Sequence, residues 1–407
     1  KKQVLSALSS STNFYLHYHG NNITNLQKRY GSLLQKLTSH VYPQFHKKIL
    51  LNKNSKFKKI GFISSFFCDH VISKLFKNWV IKLNKEKFKT FVYHTGMGSD
   101  DITQLIKENC HNFFHKANIE DVINKIISDQ LDIIVFLDIG MDPNLQILSS
   151  LKLAPIQCCA YGVPVTTGLS NIDYFFSAET METDDSQKHY SEKLIKLPDL
   201  GVDYDYPETK CIKNYRKEKD KTIFLNLQSN FKLLPQHDHI YFEIIKKVPK
   251  CEFWFIGTKN EFIAGKFKER ISIMCKENEL ILDDFFVFYP QSSYQNYLNL
   301  INESDIILDS LGWSGLNTSL EAISLNKPIV TLPSNFMRSR HTYGVLKILK
   351  LDELICNTKE EYIDLAAKLS KNSDFRVNII EKIKKNKKLV FNNYKVIKFL
   401  ENFFDSL

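Results

Sequence analysis

From Phe57 onward, short apolar runs alternate with longer amphipathic stretches, the pattern of a parallel α/β architecture. Strands are expected at Lys59–Ser64, Thr90–His94, Asp132–Asp138, Ile156–Tyr161 and Ile172–Ser177. A charged segment poor in apolar residues, Pro207–Lys221, interrupts this series. A second one follows, with strands at Thr222–Leu227, Glu252–Ile256, Phe285–Tyr289, Asp305–Asp309 and Pro328–Leu332. Its helices are expected near Pro235–Val248, Glu261–Glu277, Tyr294–Asn302 and Thr318–Leu325. Residues 1–56 read as a helical lid or leader, not a domain, because Leu26, Tyr30, Leu33, Leu34 and Leu37 recur at helical spacing. The expected organisation is therefore a leader (1–56), a Rossmann-like domain (57–206), a linker (207–221), a second Rossmann-like domain (222–357) and C-terminal helices (358–407), ending in the amphipathic run Tyr394–Phe404.

Size agrees with two cores, since 407 residues exceed the ~250–300 at which single cores stop growing. The longest apolar stretch, Leu131–Ile139, is interrupted by Asp132 and Asp138 and is too short to span a bilayer. Eight cysteines without a Cys-x-x-Cys pair fit reduced thiols in a cytoplasmic enzyme better than a disulfide frame or zinc site. The net charge of +10 is spread among interleaved acids, as in Arg216–Asp220 and Glu381–Lys388, so a solvated surface is favoured over a nucleic-acid face; an anionic small substrate also suits it. The chain begins on Lys1 with no signal-like pattern after it, which reads as a cut from a longer protein with an upstream portion.

Neither series opens with G-x-G-x-x-G, and no G-x-x-x-x-G-K-[ST] loop occurs, which disfavours dinucleotide oxidoreductases and P-loop nucleotide hydrolases. Chemistry is then sought at the carboxyl ends of the strands, where two such domains are expected to leave a cleft. One strand runs into Ser310-Leu-Gly-Trp-Ser-Gly-Leu-Asn-Thr318, a glycine-containing turn opening a helix. Free N–H groups and the helix dipole there suit an anion, with Asn317 and Thr318 as added donors. A plain capping box, Thr318-x-x-Glu321, explains the same residues. Lys232, in Gln228-Ser-Asn-Phe-Lys232, follows a strand and is placed either to neutralise a diphosphate or simply to sit in water. His70, after the first strand, is a candidate proton acceptor or an ordinary histidine. The loop Tyr161–Gly168, with Pro164, Thr166 and Thr167, is either an acceptor-side loop or a turn.

Taken in order, Gly61–His70, Ala154–Gln157, Pro164–Leu169, Ile172–Tyr174, Tyr190–Leu194, Gln228–Lys232, Leu308–Asp309, Trp313–Ala322 and Phe336–Thr342 resemble the catalytic region of the O-linked N-acetylglucosamine transferase and SPINDLY family. The likeness is greatest to bacterial members that carry tetratricopeptide repeats. It implies an inverting GT-B enzyme that takes a nucleotide sugar as donor, modifies proteins and needs no metal or other cofactor. Lys232 would contact the donor diphosphate, Leu316–Thr318 the phosphate and Glu321 the ribose, with His70 beside the acceptor as a base. Tyr297 aligns with a uracil-stacking histidine of animal members, and Gln228 falls in the donor-binding group. Leu316-Asn-Thr318 replaces the animal His-Thr-Thr, Glu321 an aspartate, and Gly162-Val-Pro164 a bacterial Gly-His-Pro. UDP-N-acetylglucosamine is the lead donor, with GDP-fucose and other UDP-sugars open, and Asp203-Tyr-Asp205 is read as a chance match to a metal-binding Asp-x-Asp.

Overall fold

The computed structural model describes residues 2–10, 12–51, 57–207, 220–258 and 260–407. The chain forms two compact units, one of Lys1–His17, Asn21–Asp205 and Asn392–Leu407, the other of Tyr18–Gly20 and Tyr206–Phe391. Most of the expected linker, residues 208–219, lies outside the described residues, and Cys211 with it. No described helix is long and apolar enough to cross a membrane.

The first unit is built on a seven-stranded sheet: β1 (Lys58–Ser64), β2 (Phe88–His94), β3 (Asn112–His115), β4 (Ile133–Phe136), β5 (Ile156–Ala160), β6 (Tyr174–Ala178) and β7 (Lys193–Leu197). The order is β3-β2-β1-β4-β5-β6-β7, and every pairing is parallel. Strands covered on both faces read as continuous apolar runs, which is why β4 carries Ile134, Val135 and Phe136, all at 0% exposure. β3 and β7 were absent from the expected strands for the complementary reason. Both lie at sheet edges, where half-exposed positions admit Asn112, His115, Lys193 and Lys196 and erase the apolar signal.

Most of the leader packs into the first unit. Its helix Thr24–Val41 packs into the first unit with Leu34 and Thr38 buried, and Gln27 Nε2 donates to the Thr166 carbonyl at 3.2 Å. The approach is backbone to backbone. A Cβ on Gly31 would lie 2.2 Å from the Gly168 oxygen, and one on Gly168, whose φ is +72°, would lie 2.1 Å from the Gln27 oxygen. The expected C-terminal helical block is divided as well. Helices Lys359–Lys371 and Ser373–Asn386 belong to the second unit, while Lys395–Ser406 returns to the first, where Phe404 packs edge-on to Phe88 and Phe176.

The second unit holds a five-stranded parallel sheet of β8 (Thr222–Asn226), β9 (Cys251–Ile256), β10 (Phe286–Tyr289), β11 (Ile306–Leu308) and β12 (Ile329–Val330), in the order β10-β9-β8-β11-β12. Each sheet reverses its winding beside its first strand, between β1 and β4 and between β8 and β11. Open α/β sheets bind ligands at the carboxyl ends of the strands that flank such a point. The helix Glu261–Glu277 has the expected limits, whereas Pro235–Val248 divides into a 3-10 turn, Pro235–His237, and a helix, His239–Lys247. The helix His341–Leu349 was not foreseen. Gly31→Ala should cost about 1–3 kcal/mol in denaturant unfolding, because the added methyl meets main chain rather than a side chain able to turn away.

Candidate functional site

The reversal point of the second sheet gathers the expected donor residues. β8 leads into Gln228–Lys232 and β11 into the turn Ser310–Leu316, and one amide joins the two segments. Lys232 Nζ donates to Gln228 Oε1 at 2.9 Å, and Gln228 Nε2 donates to Thr318 Oγ1 at 2.7 Å. An ammonium can only donate, so the amide oxygen must face Lys232 and its nitrogen must face Thr318. Thr318 accepts that bond and retains its own hydroxyl proton to give. Burial, partly offset by the charge of Asp309, lowers the Lys232 pKa to about 8.

The turn itself is held by Asp309, which lies in the Leu308–Asp309 match but has no role assigned there. It accepts from Ser314 Oγ at 2.6 Å, from the Gly315 amide at 3.0 Å and from Thr331 Oγ1 at 2.7 Å. Burial raises its pKa against these same bonds. Ser314 is also tied to Thr342 at 2.9 Å, and His341 Nδ1 lies 3.1 Å from the Ser314 carbonyl. Burial pushes His341 down to about 4, which keeps the ring neutral beside Lys232. Gly315 permits the closeness of the whole arrangement: a Cβ there would lie 2.1 Å from Thr318 Oγ1 and 2.3 Å from Gln228 Nε2.

The helix Asn317–Ser324 begins at this turn, but not through a capping box. Leu316 occupies the cap position without a side-chain bond, and Thr318 lies one residue inside the helix, bonded to Gln228. Asn317 is half-buried beside it, whereas Glu321, expected at the ribose, is 1% exposed. A cavity of about 740 Å³ opens nearby along the carboxyl ends of β9 and β10, lined by residues that include Asn230, Gly257, Lys268, Gln291 and Ser292. Tyr297 does not line it. It sits one turn into the helix Tyr294–Glu303, its ring stacked on Tyr294 at 6.1 Å.

In the first unit, His70 caps the helix Val71–Ile81. Its Nδ1 accepts from the Ile72 amide at 3.3 Å, and its ring stacks on Phe66 at 4.2 Å. Burial is the main cause that lowers its pKa to about 4. Because Nδ1 accepts, the neutral ring carries its proton on Nε2, so in this tautomer Nε2 donates rather than accepts. The threonines of the candidate acceptor-side loop are turned inward. Thr166 Oγ1 donates to Glu192 at 2.6 Å, the Thr167 amide bonds the same carboxylate at 2.8 Å, and the Thr167 hydroxyl donates to it too. Pro164, Thr166 and Thr167 are all buried. Glu192, inside the Tyr190–Leu194 match but given no role there, is the organising residue of the loop.

Asp203 and Asp205 are engaged by cations of the same unit: Lys82 bonds Asp203 at 2.8 Å, and Lys77 pairs with Asp205. Among the described residues no three His, Cys, Asp or Glu side chains converge in a metal-binding group.

Two parallel-sheet units with a lysine and a helix start meeting at a strand reversal define the class of GT-B glycosyltransferases. Solved structures share the fold. A mutant of the Thermobaculum terrenum O-GlcNAc transferase superposes with a TM-score of 0.79 at 18% identity, covering 91% of this chain and 73% of that one. Sucrose-phosphate synthase from Thermosynechococcus elongatus gives 0.58 at 10% identity, covering 86% of this chain and 98% of that one. The chain belongs to Glycosyl transferase family 41, whose profile matches residues 12–202 and 207–399.

Among curated relatives, the probable UDP-N-acetylglucosamine–peptide N-acetylglucosaminyltransferase SEC of Arabidopsis thaliana is 27% identical over 330 residues, 77% of this chain and 33% of that protein. The UDP-glucose:protein N-beta-glucosyltransferase of Actinobacillus pleuropneumoniae serotype 5b is 25% identical over 344 residues, 80% of this chain and 52% of that protein. The chain thus spans about a third to a half of the length of these relatives.

Gly315→Ala should leave the fold intact, since only two side chains must yield, but should separate Gln228 from Thr318. We expect UDP affinity to fall about tenfold or more by calorimetry, the equivalent of one lost hydrogen bond of ~1.4 kcal/mol, at an unchanged far-UV spectrum.

Proposed function

We propose that this chain transfers a sugar from a UDP-sugar to protein side chains with inversion of configuration, UDP-N-acetylglucosamine being the lead donor and Ser/Thr hydroxyls the lead acceptors. The observation that carries this reading is the link Lys232–Gln228–Thr318, a cation and a helix start joined by one amide at the strand reversal of the second unit. In the reaction the acceptor oxygen forms a bond to the anomeric carbon as the bond from that carbon to the diphosphate breaks. The nucleoside diphosphate leaves with the bonding electron pair, and the acceptor proton passes to a base or to water. Lys232 and the N–H groups opening the helix Asn317–Ser324 stabilise the growing negative charge, the role a divalent metal plays in other transferases. The nearby cavity has room for the nucleoside.

His70 enters this scheme as a hydrogen-bond donor through Nε2. To accept a proton instead, the ring must release the Ile72 amide and change tautomer. A second reading, glucose transfer to an asparagine amide, is favoured by the protein N-glucosyltransferase relative, which this chain covers over a larger share of its length than it covers of the plant enzyme.

Incubation with labelled UDP-N-acetylglucosamine, UDP-glucose and GDP-fucose, together with peptides bearing Ser/Thr or Asn acceptors, separates these readings. Label in the Ser/Thr peptide from UDP-N-acetylglucosamine is the expected result; transfer from GDP-fucose alone would overturn it. Activity should persist in EDTA, and Lys232→Ala should lower kcat by ~10²–10³ while donor binding changes less. The pH dependence follows from the burials described. Lys232 loses its charge as pH rises through about 8, so UDP affinity should decline above that value, and Lys232→Arg should abolish the decline. His70, with its pKa pushed down to about 4, stays neutral through the ordinary histidine range, so the rate should not fall on acidification through pH ~6.5; a fall centred there would contradict the buried setting of the ring.

A further inference from the structure

Three residues that precede the first domain, Tyr18–Gly20, belong to the second unit, although the chain on both sides of them belongs to the first. They pack on the two segments that carry the donor residues. The Tyr18 ring meets Phe231, the neighbour of Lys232, edge-on at 4.9 Å, and meets Trp313 of the turn at 4.2 Å with a tilt of 45°. Gly20 and Gly312, both at positive φ, bring the two backbones together: a Cβ on Gly312 would lie 3.9 Å from the Gly20 Cα. Tyr18 is 5% exposed, and Lys232 Nζ stands 5.8 Å from the centroids of both the Tyr18 and the Trp313 rings. That distance is within the ~6 Å reach of a cation–π contact.

We propose that Tyr18 is a positioning residue for Lys232: its ring completes an aromatic seat with Trp313 that shields the ammonium from water and holds it on Gln228, in register with the opening of the helix Asn317–Ser324. This rests on the role given to Lys232 above and extends it to a residue 214 positions earlier in the chain. Nothing in the motif pattern around Tyr18 singles it out.

The ring acts on the ammonium in two opposed ways. Its bulk excludes water and disfavours the charged form, whereas its π face favours it. Substitutions therefore separate an aromatic seat from mere filling. Tyr18→Ala admits water and should raise the Lys232 titration midpoint by roughly one unit from its value near 8, toward the ordinary lysine range. Tyr18→Leu keeps the bulk and removes the π face, and should lower the midpoint by about half a unit. Tyr18→Phe keeps both and should leave it in place.

The measurement is an NMR titration of the protein carrying lysine labelled with ¹³C at Cε, the Lys232 signal being identified by its absence in Lys232→Arg. A kcat reduced about tenfold in the Ala and Leu variants and restored in Phe is the expected parallel in transfer assays. Midpoints in the Ala and Leu variants equal to that of the unaltered protein would overturn the proposal. Should Tyr18→Ala fail to fold, the Leu variant decides alone, because core filling predicts no shift there. Should Lys232→Ala transfer sugar at the unaltered rate, the catalytic reading of the lysine falls, while the titration still reports whether Tyr18 seats it.

Discussion

A single carboxylate, Asp309, determines the shape of the second unit's strand reversal. Placed at the end of β11 and buried, it has no water to solvate it and must collect its donors from the protein. It finds them in Ser314, Gly315 and Thr331, and the turn bends back on itself to supply them. That bend brings Gly315 within reach of Gln228, starts a helix at Asn317 and places negative charge beneath Lys232. Without the carboxylate, the Ser314 hydroxyl and the Gly315 amide would lose the acceptor that folds the turn back on itself. The candidate site is thus preorganised by a carboxylate buried within its own turn.

The two units treat their polar loops in opposite ways. After β8 and β11 the side chains of Lys232, Gln228 and Thr318 are linked in series, and the Thr318 hydroxyl keeps a proton to give. In the first unit Thr166 and Thr167 turn onto Glu192, and Gln27 covers the loop from the other side, so the polar groups there satisfy one another. The two threonine side chains of the candidate acceptor-side loop are thereby committed to Glu192. The same economy explains Asp203 and Asp205, whose charges meet lysines of their own unit.

Buried parallel strands and the strand-to-helix turn at Ser310–Leu316 were legible in the sequence because their physics is local. A run such as Ile133–Phe136 is apolar throughout when both faces are covered, and a glycine-containing turn between strand and helix advertises itself. Edge strands β3 and β7 were not legible, since their outward positions tolerate lysine and histidine. The capping box was legible but misleading: Thr318 and Glu321 have the right spacing, yet a partner 90 positions away, Gln228, takes the threonine hydroxyl. Asp309, Glu192 and Tyr18 share that character. Each makes at least one contact distant in sequence, Asp309 to Thr331, Glu192 to Thr166 and Tyr18 to Trp313, where neither periodicity nor spacing leaves a trace.

Lys232 sits in an apolar seat with its hydrogen bond directed to a neutral amide rather than to a carboxylate. Its depressed pKa means that, at neutral pH and without ligand, folding disfavours the charged state the lysine retains, so the residue weakens the fold it belongs to. An uncharged side chain such as methionine would suit the empty seat better. Folding alone therefore does not account for the lysine; under the proposed role, transfer does, and a chain without that role would fold better with an apolar residue at this position.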